Sequence, residues 1–426
     1  MNERELTDEL LNALRMAQPV VARRDLYYRA DQPLRFMADK IDPKLMAFSS
    51  NLSKVAVQAV AERIRLEDVE VSCRGRDVSG RARELLKHCD LPMLLQALIV
   101  EMLAVGSAYM IVWVDAQGEP SVSAESAEHV AVLRDPVNRG VIAAVKSWEH
   151  RDAQGTLVEE HVVRFEPEKI THMVRNRERG GLNTVEVLDN PLGVVPVVPL
   201  VNVERINDNV GMSVIDDLAP LLDALNKLMV DMMTASDAVA RPKRYATGVT
   251  LEDYGEFGFE ADADSSPADL AGEAVAPFKD ADDMWLSEQA EARFGQLPGG
   301  DLGGYRTAVD LIMQQIMAVT SLPAHLVGIT SANPATAEAL RASEVALASN
   351  AEGRVRVVNR PVEWAVRMLV AIDQGVKADE VVAHVTWADT ATRSVAASTD
   401  AAVKLHAEGI ANVEDAKAVA GQGAKL

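Results

Sequence analysis

Over the first quarter of the chain the apolar residues recur at helical spacing. Leu6, Leu10 and Leu14, then Val55, Val57, Val60 and Ile64, make 6–66 read as helical. Asp42-Pro43 reads as a helix start within it, with Asp as cap and Pro in the first helical position. Residues 81–105 read as helix again. The apolar stretch Leu91 to Val114 is interrupted by Gln96 and Glu101, and Gly106-Ser107 breaks its period. A buried helix followed by a buried strand fits it better than a membrane span. From 107 to about 188 the rhythm shortens. Runs at 107–114, 128–133, 140–149 and 157–166, divided by Ala116-Gln117-Gly118 and Asn138-Arg139-Gly140, predict an antiparallel meander and not alternating βαβ units.

Pro191, Pro196 and Pro199 then force an extended course. From Ser213 a strong helical stripe begins: Val214, Leu218, Leu221, Leu222, Leu225, Leu228, Met229, Met232 and Met233. Ser213 is its expected cap, Asp216 and Asp217 sit in its first turn, and Pro242 stops it near Ala240. Such a rod is roughly 40 Å long. After Pro298-Gly299-Gly300, the positions Val309, Ile312, Met313 and Ile316 mark a second helix over 305–321. A short loop follows at 328–334. Asn333-Pro334 then starts a long helix rich in small residues, which Pro361 should kink or split. A strand at 380–387 and helices at 394–408 and 411–420 complete an α+β, mostly α, chain without a fixed-period repeat.

Charge changes this picture. Forty-three Lys plus Arg face 64 Asp plus Glu, a net charge of −21 over 426 residues. Such an anion does not bind nucleic acid by bulk phosphate neutralisation, so any contact with DNA must be local or transient. Much of the excess sits in 251–293, where thirteen acids face Lys279 and Arg293 and no apolar period is visible; a solvated projection is expected. The apolar share, 48%, still supports sizeable cores. The opening Met1-Asn2-Glu3-Arg4-Glu5 carries both signs with no apolar run behind it, which predicts a cytosolic, reducing setting without a signal peptide.

The search for chemistry returns little. No phosphate loop, dinucleotide fingerprint or Gly-x-Ser-x-Gly elbow is present, and the cluster Gly299, Gly300, Gly303 and Gly304 lacks a following Lys-Ser/Thr and reads as a hinge. Cys73 and Cys89 alone make neither a disulfide framework nor a zinc site. His161, His172 and His325 have no i, i+4 partner to share a metal. No catalytic residue, cofactor or metal site is expected. The clearest basic clusters are Arg23-Arg24 and Arg241 with Lys243 and Arg244; the second reads either as cations at a helix C-terminus or as a contact to phosphate or a neighbour's acids.

Five stretches in order carry a resemblance. They are Gly106-Ser107-Ala108-Tyr109-Met110-Ile111-Val112-Trp113-Val114-Asp115; Asp135-Pro136 with Ile142 to Trp148; Gly193 to Pro199 leading through Asn202 to Gly211-Met212-Ser213 and Asp223-Ala224-Leu225-Asn226; Thr320 to Gly328 with Ala337 to Leu340; and Val385-Thr386-Trp387-Ala388-Asp389 before an Ala-rich helix. In this order they resemble portal proteins of tailed double-stranded DNA bacteriophages, the siphophage type of Gram-positive hosts. The resemblance implies a ring, usually of twelve subunits, at one capsid vertex, through which DNA is packaged and ejected. It implies a wing at 1–200 (helices plus antiparallel β meander), a stem helix at 201–240, a clip at 241–300, a second stem helix at 301–327 and a tunnel loop at 328–334. A long helix at 335–389 would return to the wing, and 390–426 would form a helical crown. Thr330, Ser331, Ala332, Asn333 and Pro334 would narrow the channel, and Arg241, Lys243 and Arg244 would flank the clip. The implied partners are other copies of the chain, double-stranded DNA, the terminase large subunit, head-completion or adaptor proteins, and major capsid and scaffolding proteins, with no membrane. The implied place is the portal vertex of the virion, after assembly in the host cytoplasm. The long acidic insertion departs from the family's clip, and the short crown suggests further C-terminal residues. An acidic, helix-rich cytosolic enzyme with an unrecognised site, around His161 or His325, is the alternative; another ring, such as an adaptor, is a third reading.

Overall fold

A computed structural model describes residues 2–35, 49–115, 117–176, 180–205, 210–240, 244–247, 293–296, 302–329, 336–391, 395–410 and 412–413. By its contacts the chain divides into two units. One comprises Met1–Pro33, Ser49–Asp223 and Met313–Leu426; the other comprises Leu34–Phe48 and Ala224–Ile312.

The first unit opens with α1 (Glu3–Arg29), whose N-terminus closes a reciprocal cap. Asn2 Oδ1 accepts from the Glu5 N–H at 2.8 Å, and Glu5 accepts from the Asn2 N–H at 2.9 Å. Helix α2 (Leu52–Ala61), strands β1 (Leu66–Cys73) and β2 (Arg76–Asp77), and helices α3 (Ser79–His88) and α4 (Leu91–Val105) follow. The expected 81–105 helix is thus two helices. Asp90 takes a left-handed conformation (φ 50°), and the axes bend by 66° there. Among the described residues no single helix is long and apolar enough to cross a membrane. Leu95, Leu98, Ile99, Met102 and Leu103 of α4 are all buried, so the helix is apolar around most of its circumference because protein surrounds it. Each such side chain contributes about 2 kcal/mol by leaving water.

Strands β3 (Ser107–Val114), β4 (Pro120–Ser126), β5 (Val130–Arg134), β6 (Val141–Arg151), β7 (Leu157–Phe165), β8 (Lys169–Asn176), β9 (Asn183–Asp189) and β10 (Val197–Val201) come next. They do not form one meander. Strand β3 lies between β10 and β4 in a three-stranded sheet, while β5 to β9 form a separate five-stranded antiparallel sheet in chain order. Pro199 is tolerated because β10 is an edge strand. Helix α1 covers one face of the five-stranded sheet, where Leu10, Leu11 and Leu14 pack on Ala131, Ala143, Val145, Val162 and Met173. Buried Arg164 fixes the helix start to that sheet. Its guanidinium donates to the Glu3 carbonyl at 2.7 Å, to Thr7 Oγ1 at 2.8 Å and to Glu166 at 2.8 Å.

Helix α5 (Val214–Ala240) begins in the first unit and ends in the second; α6 (Gly303–Thr320) begins in the second and ends in the first. A 3₁₀ turn, Ala324–Val327, leads to the 38-residue α7 (Ala337–Gln374). Thr336 caps α7, accepting from the Ala339 N–H at 3.2 Å, so its cap lies beyond the expected Asn333-Pro334 start, which falls outside the described residues. Pro361 does not split α7. Val358, Val362, Ala365, Val366 and Leu369 are fully buried around it, and that packing outweighs the missing N–H bond. Strand β13 (Val381–Trp387) pairs antiparallel with β1, which the sequence reading left unassigned, and helix α8 (Val395–Ala407) follows.

In the second unit, β11 (Arg244–Thr247) pairs antiparallel with β12 (Arg293–Gln296), Arg244 opposite Gln296 and Thr247 opposite Arg293. The acidic run between them, the expected 411–420 helix and the Asp42-Pro43 start lie outside the described residues.

Candidate functional site

A dense set of hydrogen bonds gathers at the base of α5. Two chain turns meet there with no room for side chains. Gly106 (φ +101°) ends α4 and Gly211 (φ +82°) precedes α5; a Cβ on Gly211 would stand 2.0 Å from the Gly106 carbonyl oxygen. The Asn202 N–H donates to that same oxygen at 2.9 Å, and Asn202 accepts from the Met212 N–H at 3.0 Å. Ser213 caps α5 as expected: its Oγ accepts from the Ile215 N–H at 2.9 Å and donates to the Ala104 carbonyl, while its own N–H donates to Asp216 at 3.1 Å.

Arg24 from α1 locks this joint. Its Nε donates to Asp216 at 3.0 Å and its Nη1 donates to the Val105 carbonyl at 2.6 Å. One turn further along α1, Tyr27 donates to Asp223 at 3.0 Å. Arg354 of α7 reaches in from the other side, donating to Asn202 Oδ1 at 2.6 Å and to Glu204 at 2.5 Å. The residues that carried two separated stretches of the resemblance, Gly106-Ser107 and Asn202 to Asp223, are therefore in one hydrogen-bonded knot. The sequence singles them out without bringing them together; it marks Arg24 only as half of the basic pair Arg23-Arg24, and gives no sign of Arg354.

A second knot holds the segment after α6. Glu344 of α7 lies 2.9 Å from Arg63 Nη2 and 3.2 Å from His325 Nε2. Arg63 Nη1 also donates to the Thr390 carbonyl at 3.0 Å, and Trp387 Nε1 donates to Asn359 at 2.7 Å. His325 thus has a structural partner, and Gly328 ends the 3₁₀ turn at φ 79° just before the expected tunnel loop.

Of the expected site residues, Thr330, Ser331, Ala332, Asn333 and Pro334 lie outside the described residues, as do Arg241 and Lys243. Arg244 opens β11. The histidines behave otherwise than their spacing suggests. His161 on β7 and His172 on β8 meet diagonally across the ladder, Nδ1 to Nε2 at 3.2 Å, and Trp148 stacks on His161 with ring centroids 5.0 Å apart. The signal was missed because β8 was not foreseen. Among the described residues no group of three or more His, Cys, Asp or Glu could hold a metal ion. Cys73 and Cys89 are free thiols; burial raises the Cys89 thiol, whose Sγ donates to the Pro120 carbonyl at 3.2 Å. A cleft of about 1090 Å³ is lined by neither His161 nor His325.

Comparison with known proteins bears on this arrangement. The "Portal protein" of Mycobacterium phage L5 is 31% identical over 221 residues, 51% of this chain and 43% of that protein. That of Mycobacterium phage D29 is 30% identical over 230 residues, 53% of this chain and 45% of that protein. The matched stretches are thus less than half of those relatives' lengths. A chain in the neck of an empty gene transfer agent particle, described with C6 symmetry, superposes with a TM-score of 0.50 at 16% identity, over 92% of this chain and 96% of that one. A likeness that distant shows the fold alone. The family described as "Phage portal protein, SPP1 Gp6-like" matches residues 23–414, from the base-locking end of α1 to beyond α8, and the chain belongs to that family.

Proposed function

We propose that this chain is one wedge of a portal ring at a single capsid vertex, a conduit through which double-stranded DNA enters and leaves. The observation that carries the reading is the family match over 23–414. Two physical features support it. The base of α5 is clamped by Arg24, Tyr27 and Arg354, as a lever that bears load requires. Leu311 and Val319 of α6 are 59% and 49% exposed in the single chain, apolar area that packing between copies would cover.

In this reading 1–200 and 335–389 form the wing, 201–240 and 301–327 the stem, 241–300 the clip, 328–334 the tunnel loop and 390–426 the crown. The clip meets the terminase large subunit and later the head-completion proteins, and capsid and scaffolding proteins surround the wing. The ring works in the virion after assembling in the host cytoplasm. It has no catalytic role; energy for packaging comes from the partner motor. Net charge fits a channel that must not grip: −21 per copy repels phosphate instead of neutralising it. Light scattering after gel filtration tests the reading. Roughly twelve copies of 46.1 kDa give about 550 kDa, and negative-stain images should show annuli. A protein that stays at 46.1 kDa in every buffer overturns it.

A further inference from the structure

In a chain of net charge −21, the cleft inside the first unit has the opposite sign. It lies between α7, the outer edge of β13, the segment leading into β10 and the turn joining β5 to β6. Arg134, Arg139, Arg360, Arg367 and His384 line it against a single carboxylate, Glu363. That carboxylate is engaged: it accepts from the Val385 N–H at 3.4 Å and stands 3.9 Å from His384 Nδ1.

Arg134, Arg360 and Arg367 are poorly compensated. Arg360, Trp364 and Arg367 share one face of α7 by their i, i+4, i+7 spacing. The Arg367 guanidinium lies 4.7 Å over the Trp364 ring and donates to the Ala378 carbonyl at 3.1 Å, but its Nε is buried with no acceptor. Arg134 is half-buried, and its one described hydrogen bond is to the Arg139 carbonyl at 3.5 Å. Burial lowers the Arg134 guanidinium from its ordinary range against the pull of Tyr109, and the Arg139 charge adds to the lowering. Arg360 is exposed and has no carboxylate partner among the described residues. For the half-buried Arg134 and Arg367, partial desolvation without a carboxylate partner costs free energy, and an incoming carboxylate relieves that cost.

We propose that this cleft is the docking groove for a carboxylate-bearing face of a neighbouring copy of this chain. The inference rests on the ring reading and names the chemistry of one of its contacts. A rotationally closed ring uses two different, complementary faces of each copy. Copies at −21 repel one another everywhere on average, so association is favoured where a cationic recess receives acids. The neighbour's surface supplies those acids in excess. Val194, Val195 and Pro361 add apolar lining beside the cations, and such lining strengthens a charge pair formed against it.

Two experiments on the full chain test this. Isotopically light and heavy copies of the R360K variant are mixed before assembly and treated with a carbodiimide that joins amines to carboxylates. The expected product is a mixed-label peptide pair joining position 360 of one copy to an acidic residue of another. Assembled rings that yield no mixed-label pair overturn the proposal. The second variant, R134E/R360E, should need about ten-fold more protein to assemble, with an unchanged circular dichroism spectrum. Wild-type assembly by that variant overturns the proposal. So does normal assembly combined with lost retention of a short DNA duplex, which makes the groove a nucleic-acid site. Failure of the ring reading looks different, because the wild-type chain itself then stays monomeric.

Discussion

At the residue scale, Glu101 and Gly211 show how single positions constrain the fold. Glu101 interrupts the apolar run of α4, and in the structure it is mostly buried, accepting a hydrogen bond from Ser126 Oγ at 2.6 Å. Burial raises its carboxyl above the ordinary range; Asp25 and Glu128 add to this, against the pull of Ser126 and Arg29. The folded state therefore keeps the proton at pH values where the unfolded chain has released it. Stability falls as pH rises from the ordinary glutamate value to the raised one. Glu101→Gln keeps the acceptor for Ser126 and removes the charge. Its melting temperature should exceed that of the wild type above neutrality, with the gap closing as pH falls; a gap independent of pH would refute the buried-charge account. Gly211→Ala should act in the opposite direction. Its Cβ meets the Gly106 carbonyl oxygen at 2.0 Å, and its φ is strained for any L side chain. A loss of about 3 kcal/mol or failure to fold is expected. Gly80→Ala, with open space at its Cβ in the first turn of α3, should be neutral or slightly stabilising in the same thermal assay.

At the element scale, α7 shows tertiary packing overriding a local rule. Proline within a helix costs about 3 kcal/mol, yet α7 continues through Pro361 because its flanks are buried. Pro361→Ala should restore the hydrogen bond to the Val357 carbonyl and raise the unfolding midpoint; a lower midpoint would mean that the ring of Pro361 contributes packing at the cleft. The elements most legible in the sequence were those with one uninterrupted signal: α5, α6, α7, β3 and β13. Leu66–Cys73 was not among them, although Val69, Val71 and Cys73 are buried and alternate with Glu70 and Ser72. Its partner β13 stands more than 300 residues away, and the pairing that makes β1 a strand is not local. Likewise, no residue of the 107–188 run indicates that β3 leaves the meander to pair with β10; that choice is made where α4 delivers the chain through Gly106. The site was legible in part. Gly106, Asn202, Gly211 and Ser213 stood out by order and type, whereas Arg24 stood out only as part of a basic pair and Arg354 not at all, until the fold turns them onto carbonyls and carboxylates.

At the scale of the whole molecule, charge distribution separates two roles that the proposed ring would combine: copies would hold one another, while DNA would pass. The stretch 248–292 concentrates thirteen acids with one lysine, so removing it changes the net charge from −21 to about −9. The graft points are available because Thr247 and Arg293 face each other across an antiparallel pair, a gap of about 5 Å that two residues close. Replacing 248–292 by Asn-Gly should therefore leave the first unit folded, since none of its elements lies within the excised stretch. If the acids act by repelling phosphate, the shortened chain should bind a short DNA duplex more tightly than the full chain, most clearly at low salt, where screening is weakest. The difference should shrink as salt is raised towards the point where the Debye length falls below about 10 Å. The excision leaves the proposed docking groove intact, since all its lining lies within the first unit, so assembly measured by light scattering should be unchanged wherever the acids that fill the groove lie outside 248–292. Loss of assembly with unchanged DNA affinity would assign the acidic stretch to contacts between copies and refute the account in which its acids repel phosphate.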